Sequence, residues 1–341
     1  MCRPALTDQP ADARTADSTR SIARFGLDAL HAALQTSGIA LDLGAATLVV
    51  RSPSMALARQ ISAVYANFPL ALPPDFADIR IELTEVGGWR SHVREQVVLR
   101  CDGEQQFHPF PADTALPLME WGTNWLIGQR LHHLLLFHAG CLERDGFGLL
   151  LPATPGSGKS TLTAALAHSG WRLLSDEFGV CDPLSGQLQA MLKPIALKNQ
   201  SIAVIRRQAP GAVIGPEFPK TRKGNVAHVI AGCDSVQRRH IGATPAAVVL
   251  PKWTAGSATR LEPITDDEVF RALAFNSFNY EVLGATGFEA VLAIVRRCRG
   301  WRLEYSDLAD AIGTLNELWA DVTSNPRPAG PAAPLTVVTG R

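Results

Sequence analysis

The sequence predicts an α/β protein: a strand–loop–helix–strand core preceded by a small α+β unit. Three observations carry this. "LLLPATPGSGKSTLTAALAHSG", residues 149–170, reads as an apolar strand, a glycine turn, a lysine and a helix. "WRLLSDEFGVCD" follows at once, a second apolar run bearing an acidic pair. Between about residues 38 and 112, short apolar runs alternate with turn signals, which is a strand-rich pattern.

Taken in order, residues 1–20 carry no apolar periodicity and read as a disordered leader without a secretory h-region. "SIARFGLDALHAALQ" has helical spacing at Ile22, Phe25, Leu27, Leu30 and Leu34. "LDLGAATLVVRS", "IRIELTEV" and "EQVVLRCDGEQQFHPF" read as strands, with Asp102-Gly103 as a hairpin turn. "PLMEWGTNWLIGQRLHHLLLFHAG" reads as a helix feeding a strand, and Trp121 and Trp125, four apart, as packing residues on that helix. "LLLFHAGCLER", the Asp145-Gly146 turn and "FGLLLPA" form a second hairpin, and Gly170 closes the helix after the glycine loop. Beyond the acidic pair, "KPIALKN", "AVVLPKW" and "WRLEYS" read as strands. "DEVFRALAFNSFN", "GFEAVLAIVRRC" and "DLADAIGTLNELWADV" read as helices. These runs divide the chain into a leader (1–20), an α+β domain (21–130), a catalytic domain (131–322) and a disordered tail rich in Pro, Gly and Ala (323–341).

Bulk composition narrows the functional class. The 341 residues hold 32 Lys and Arg against 32 Asp and Glu, so no basic excess argues for a nucleic-acid partner. No stretch reaches the ~18 uncharged apolar residues of a membrane helix. The six cysteines show no C-x-x-C or zinc spacing and read as reduced thiols of a cytoplasmic protein.

The glycine loop carries the chemistry. A phosphate-binding loop aims several backbone N–H groups at one point, and glycines permit the tight path. Ala153, Thr154, Pro155, Gly156, Ser157, Gly158, Lys159, Ser160 and Thr161 form that segment, with Ala153 where the usual pattern opens on glycine. An alanine there costs little if its φ is negative and more if it is positive. Lys159 is placed to reach β- and γ-phosphates, Ser160 to set a hydroxyl on Mg²⁺, and the helix start to face the phosphates with its positive end. Asp176 and Glu177 close an apolar strand, where two carboxylates can divide metal binding from orientation of a nucleophile. His138, on the strand paired with the one entering the loop, reads on its own as a satisfied core or edge histidine. Lys193, Lys198 and Asn199 could neutralise developing phosphate charge or be solvated. Thr221, Arg222, Lys223, Gly224 and His228 follow a Gly/Pro loop that could cover the site or form a basic surface. Asn276, Asn279 and Tyr280 sit among apolar residues, for which a structural hydrogen-bond network is the default.

At "FHAGCLERDGFGLLLPATPGSGKSTLTAALAHSGWRLLSDE" the chain resembles the catalytic domain of HPr kinase/phosphorylase. More closely it is similar to the HPr-kinase-related group called HprK-related kinase A, through "MEWGTNWLI", "HAGCLERDG", "LPATPGSGKST", "GWRLLSDE", "KPIALKNQSI", "TRKGNVAH" and "FNSFNYEVLG". The resemblance implies a P-loop kinase core related to phosphoenolpyruvate carboxykinase, using ATP and Mg²⁺. It implies Asp176 as the base acting on a substrate hydroxyl, with His138 hydrogen-bonded to it, Lys159 on the phosphates, and Ser160, Glu177 and Asp176 around the metal. Glu177 stands where the relatives usually have Asp. "KPIALKNQSI" replaces the signature loop of the phosphorolytic reaction, which argues against that reaction and against HPr as substrate. The implied acceptor is a serine on a peptide or small protein. HPr kinases are hexamers, so a homo-oligomer fits the resemblance. Two other readings stay open: a non-catalytic nucleotide-binding regulator, and a small-molecule kinase.

Overall fold

Asp-Gly turns close two of the hairpins, at Asp102-Gly103 and Asp145-Gly146. A computed structural model describes residues 21–87 and 94–327 of the chain. The chain forms two compact units, one from residues up to Leu131 together with Met191–His240, the other from His132–Ala190 together with residues from Ile241 onward. The expected leader, and residues 328–341 of the expected tail, lie outside the described residues.

The first unit opens with a 3-10 turn at Ile22–Arg24 and helix α1 (Leu27–Gln35), shorter than the 15-residue helical run read from the sequence. Gly26 at the helix N-cap position interrupts that run. Strands β1 (Ile39–Asp42), β2 (Thr47–Arg51), β3 (Ile79–Val86), β4 (Gln96–Cys101), β5 (Glu104–Gln105) and β6 (Phe110–Pro111) make a six-stranded sheet, with β6 on β4. Helix α2 (Met55–Val64) crosses between β2 and β3, which pair in parallel. Ser54 caps it, its hydroxyl accepting from Leu57 N at 3.3 Å. On β3, Ile79, Ile81 and Leu83 are buried at alternate positions, as one covered sheet face requires. The β4–β5 hairpin turns at Asp102 (φ 53°) and Gly103 (φ 83°), the left-handed pair the Asp-Gly signal predicts. Helix α3 (Ala115–Arg130) follows.

The second unit begins with β7 (Leu135–Arg144) and β8 (Phe147–Pro152), a hairpin closed at Asp145 (φ 56°) and Gly146 (φ 82°). Helix α4 (Lys159–Ala167) packs on β7, where Gly140 leaves room. A Cβ at Gly140 would sit 2.4 Å from Thr163 Oγ1. The sequence reads 171–182 as one strand, and the structure breaks it into β9 (Arg172–Ser175) and β10 (Phe178–Cys181), ahead of β11 (Leu188–Gln189). Cys141 pairs with Ser175 and His138 with Phe178 in one antiparallel register, interrupted only by Asp176 and Glu177.

The chain then returns to the first unit with β12 (Ile195–Lys198), α5 (Gln200–Gln208), β13 (Phe218–Thr221), β14 (Gly224–Val229) and α6 (Cys233–Gln237). Residues 191–240, read from sequence as part of the catalytic domain, thus cluster with the N-terminal residues. The reason is a buried polar knot: Glu120 accepts from Tyr65 Oη (2.5 Å) and Lys193 Nζ (2.9 Å). Leu192 N also donates to Leu43 O at 2.8 Å.

The second unit finishes with β15 (Thr244–Trp253), β16 (Arg260–Ile264), α7 (Asp266–Phe275), α8 (Tyr280–Leu283), α9 (Ala285–Arg297), β17 (Arg299–Tyr305) and α10 (Leu308–Ser324). Helix α10 runs two residues into the segment read as tail. The sheet order is β11-β10-β7-β8-β15-β17-β16, with β9 on β7, and β8, β15 and β17 run parallel. Among the described residues no helix is long and apolar enough to cross a membrane. Cys101, Cys141, Cys181 and Cys298 are free and buried, and burial raises each thiol's pKa, that of Cys181 to about 12.

Candidate nucleotide site

The loop between β8 and α4 is positioned by strand ends as well as by its own glycines. Gly156 (φ 89°) and Gly158 (φ 88°) are both left-handed, where a side chain is strained. Ala153 is buried and is not among the positive-φ residues, so alanine fits where the usual pattern has glycine. Two neighbouring strands brace the loop from behind: Trp253 N, at the end of β15, donates to Ser157 O at 2.8 Å, and Tyr305 Oη, at the end of β17, to Gly158 O at 3.3 Å. Neither residue carries a motif signal, because both lie more than ninety positions from the loop and reach it only through the parallel sheet.

Lys159 opens α4 with its side chain turned into the protein. Its ammonium donates to the main-chain carbonyl of Asp176 and lies 3.5 Å from Asp176 Oδ1. Both side chains are more than nine-tenths buried. Asp176 Oδ1 has no hydrogen-bond partner, and Ser157 Oγ is likewise buried and unsatisfied. An orphaned carboxylate oxygen beside a lysine, with an orphaned hydroxyl in the loop, fits a site for further donors or a cation. Among the described residues no three His, Cys, Asp or Glu side chains converge on a metal. Mg²⁺ needs no such cluster, since it is commonly held by one or two carboxylates plus phosphate oxygens and water.

At the bend between β9 and β10 the Asp176 side chain is buried, while that of Glu177 is 37% exposed. His138 follows the more exposed of the two: Nε2 lies 3.8 Å from Glu177 Oε1. The hydrogen bond to Asp176 implied by the resemblance is thus replaced by proximity to Glu177. Burial, then the charge of Lys159, lower the His138 pKa, against the opposing pull of Glu177 and Asp176. The imidazole is therefore neutral near pH 7. Its backbone is tied down as well, with His138 N donating to Asn276 O at 2.5 Å.

The amide network expected around "FNSFNY" is present. Asn279 accepts from Leu136 N (3.0 Å) and donates to Leu134 O (2.7 Å), and Ser277 Oγ donates to Leu136 O (3.0 Å). This fixes residues 276–279 along β7. Phe278 then meets the His138 ring edge-on, with centroids 5.8 Å apart.

The structure places the remaining candidates in the first unit. Lys193 is buried on Glu120, and His228 is buried with Nδ1 unpartnered. Asn199, at φ 52°, accepts from Asn225 N, and Lys198 is exposed. Thr221 donates to Gly224 O across the β13–β14 turn, and the Arg222 guanidinium lies 4.7 Å from the centre of the Phe110 ring.

No family model matches the chain. Over 174 residues it is 27% identical to the tRNA modification GTPase MnmE of Mesorhizobium japonicum, a match covering 50% of this chain and 38% of that protein. The chain thus spans well under half the length of that relative. A search of solved structures finds the Hpr(Ser) kinase/phosphatase from Coxiella burnetii, at 13% identity and a TM-score of 0.22, covering 55% of this chain and 98% of that one. The second unit itself is mixed α/β with parallel strands and a left-handed glycine loop ahead of a helix, and this architecture fits a P-loop nucleotide-binding fold.

Proposed function

We propose that this chain is an ATP- and Mg²⁺-dependent kinase that transfers the γ-phosphoryl group to a serine hydroxyl of a peptide or small protein. The observation that carries the reading is the ion pair of Lys159, at the start of the loop's helix, with the buried Asp176 carboxylate, 3.5 Å apart, whose Oδ1 accepts no hydrogen bond. In this reading the acceptor oxygen attacks the γ-phosphorus, the bond to the β–γ bridging oxygen breaks, and ADP leaves. Asp176 orients the hydroxyl and takes its proton, and His138, neutral and half-buried, sits beside the acidic pair. Backbone N–H groups within the loop Ala153–Thr161, of which Pro155 has none, and the Lys159 ammonium hold the phosphates. Ser160, with Asp176 and Glu177, would hold Mg²⁺, which supplies charge neutralisation on the phosphates when bound. A cytoplasmic location and a homo-oligomer belong to the same reading.

The test is purified protein with γ-labelled ATP, Mg²⁺ and serine peptides. Label is expected on serine, lost in Lys159→Ala and in Asp176→Asn. Full transfer by Asp176→Asn would remove the base assignment. A second reading, a nucleotide-binding regulator or nucleotide hydrolase, is favoured by the sequence likeness to a GTPase. Nucleotide binding with no labelled acceptor would support it.

A further inference from the structure

A cavity of about 220 Å³ lies in the second unit, lined by residues that begin its parallel strands: Phe147 on β8, Thr244 and Pro245 on β15, and Arg299 on β17. The glycine loop follows the other end of β8, so the cavity and the loop occupy opposite ends of the sheet. Three arginines face this cavity, and two of them are already neutralised. Arg299 donates to Asp321 Oδ2 and to Asn325 O, both at 3.1 Å. Arg327 donates to both Asp266 oxygens (2.9 and 3.0 Å) and to the carbonyls of Val295 (3.2 Å) and Cys298 (3.0 Å).

Arg297 is different. It is half-buried and, among the described residues, has no hydrogen-bond acceptor and no carboxylate partner. Complementing the end of α9 does not account for it, because Arg327 already serves the carbonyls there. A guanidinium offers five N–H donors in a fork that matches a carboxylate in two-point fashion. None of the Arg297 nitrogen atoms is both buried and unsatisfied, so the fork is open to an anion entering the cavity.

We propose that this cavity is a binding site for a small monocarboxylate with an apolar body, held by Arg297. Two features select that class. With Arg299 and Arg327 paired, the cavity carries one unmatched positive charge, which a monoanion balances and a phosphate dianion exceeds. The walls supplied by Phe147, Pro245 and Val322 suit hydrocarbon. The volume falls below the ~300–1,000 Å³ of sites for drug-sized ligands, which favours a small ligand.

Calorimetric titration of the full chain with benzoate, benzamide and inorganic phosphate tests this. Benzoate is expected to bind saturably, benzamide and phosphate at least tenfold more weakly. Arg297→Gln should weaken benzoate at least tenfold, about 1.4 kcal/mol, with its thermal unfolding transition preserved. Benzoate and benzamide can be compared on the unaltered protein, so the test survives a variant that fails to fold. Benzamide binding as well as benzoate, phosphate binding more tightly than benzoate, no saturable benzoate binding, or unchanged affinity in a folded Arg297→Gln would each overturn the assignment.

Discussion

The Lys159 ammonium lies 3.5 Å from Asp176 Oδ1, with both side chains buried and the lysine also bonded to the Asp176 carbonyl. The helix start and the break between β9 and β10 are thereby joined across seventeen positions of sequence. Removing the aspartate charge leaves a buried ammonium short of its counter-charge, which destabilises the fold. Phosphate oxygens at the loop would restore a partner to that lysine. Asp176→Asn should therefore melt lower than wild type and gain more from ATP added without Mg²⁺, where the carboxylate's proposed metal role does not enter. Saturation at about 100 times Kd contributes ~2.7 kcal/mol. Differential scanning fluorimetry with and without nucleotide measures both shifts, and equal nucleotide shifts in the two proteins would count against this coupling.

Gly156 and Gly158 are both left-handed, yet their surroundings differ. A Cβ at Gly156 meets nothing within 4 Å, whereas one at Gly158 meets Tyr305 Oη at 2.7 Å and Trp253 Cβ at 2.9 Å. Gly156→Ala should cost only backbone strain, about 1–2 kcal/mol. Gly158→Ala should cost more and also displace the strand ends that brace the loop. Urea unfolding and nucleotide titration of the two variants should rank them in that order.

Glu120, Tyr65, Lys193 and His228 form a buried polar knot in the first unit. Burial raises the Glu120 pKa, but Lys193, His228 and the Tyr65 hydroxyl outweigh it and hold it below the usual range. Glu120→Gln leaves Lys193 buried without a counter-charge, and the expected loss is about 3–5 kcal/mol. Chemical denaturation gives the value directly. A loss under about 1 kcal/mol, the scale of an exposed ion pair, would mean the knot is solvated.

Burial also lowers the pKa of His228, helped by Lys193 and opposed by Glu120. A histidine whose folded pKa lies below its unfolded one binds protons preferentially in the unfolded chain. Stability is then full above pH about 6.5 and declines below it, by up to about 1.4 kcal/mol per pH unit per proton. His138 and His168 are shifted in the same direction. The depressed Glu120 acts in the same direction but in a lower window, its contribution being lost only as pH falls below about 4.5. Urea unfolding at pH 5.5 and 7.5 should show the decline, and His228→Asn should flatten it. An unchanged slope in that variant would remove His228 as the cause.

Asn279 is 1% exposed and bonds both Leu136 N and Leu134 O. Asn279→Ala leaves two buried backbone groups without partners, at about 1–3 kcal/mol each. It should also free the Leu136 amide to exchange and loosen the segment whose Asn276 carbonyl holds His138 N. Hydrogen exchange at Leu136 reports the first effect, and a shifted pH dependence of the His138 imidazole resonance the second.

Local chemistry was legible in the sequence because it is written in neighbours. The Asp102-Gly103 and Asp145-Gly146 turns, the strand–loop–helix around Gly156 and Gly158, and the alternation along β3 each depend on dihedral preference or side-chain period. The residues alone also marked Lys159, Asp176 and Glu177 as candidates, and the family resemblance added His138. Long-range pairing decided the rest. Ala153 is tolerated because of the path its backbone takes, and His138 faces Glu177 because the strand breaks between Ser175 and Phe178. Residues 191–240 join the first unit because Lys193 finds Glu120 seventy-three positions away. Trp253, Tyr305 and the unmatched Arg297 gain their surroundings only when parallel strands align their ends. Such pairings depend on which surfaces meet after collapse, and no local period or turn residue encodes them.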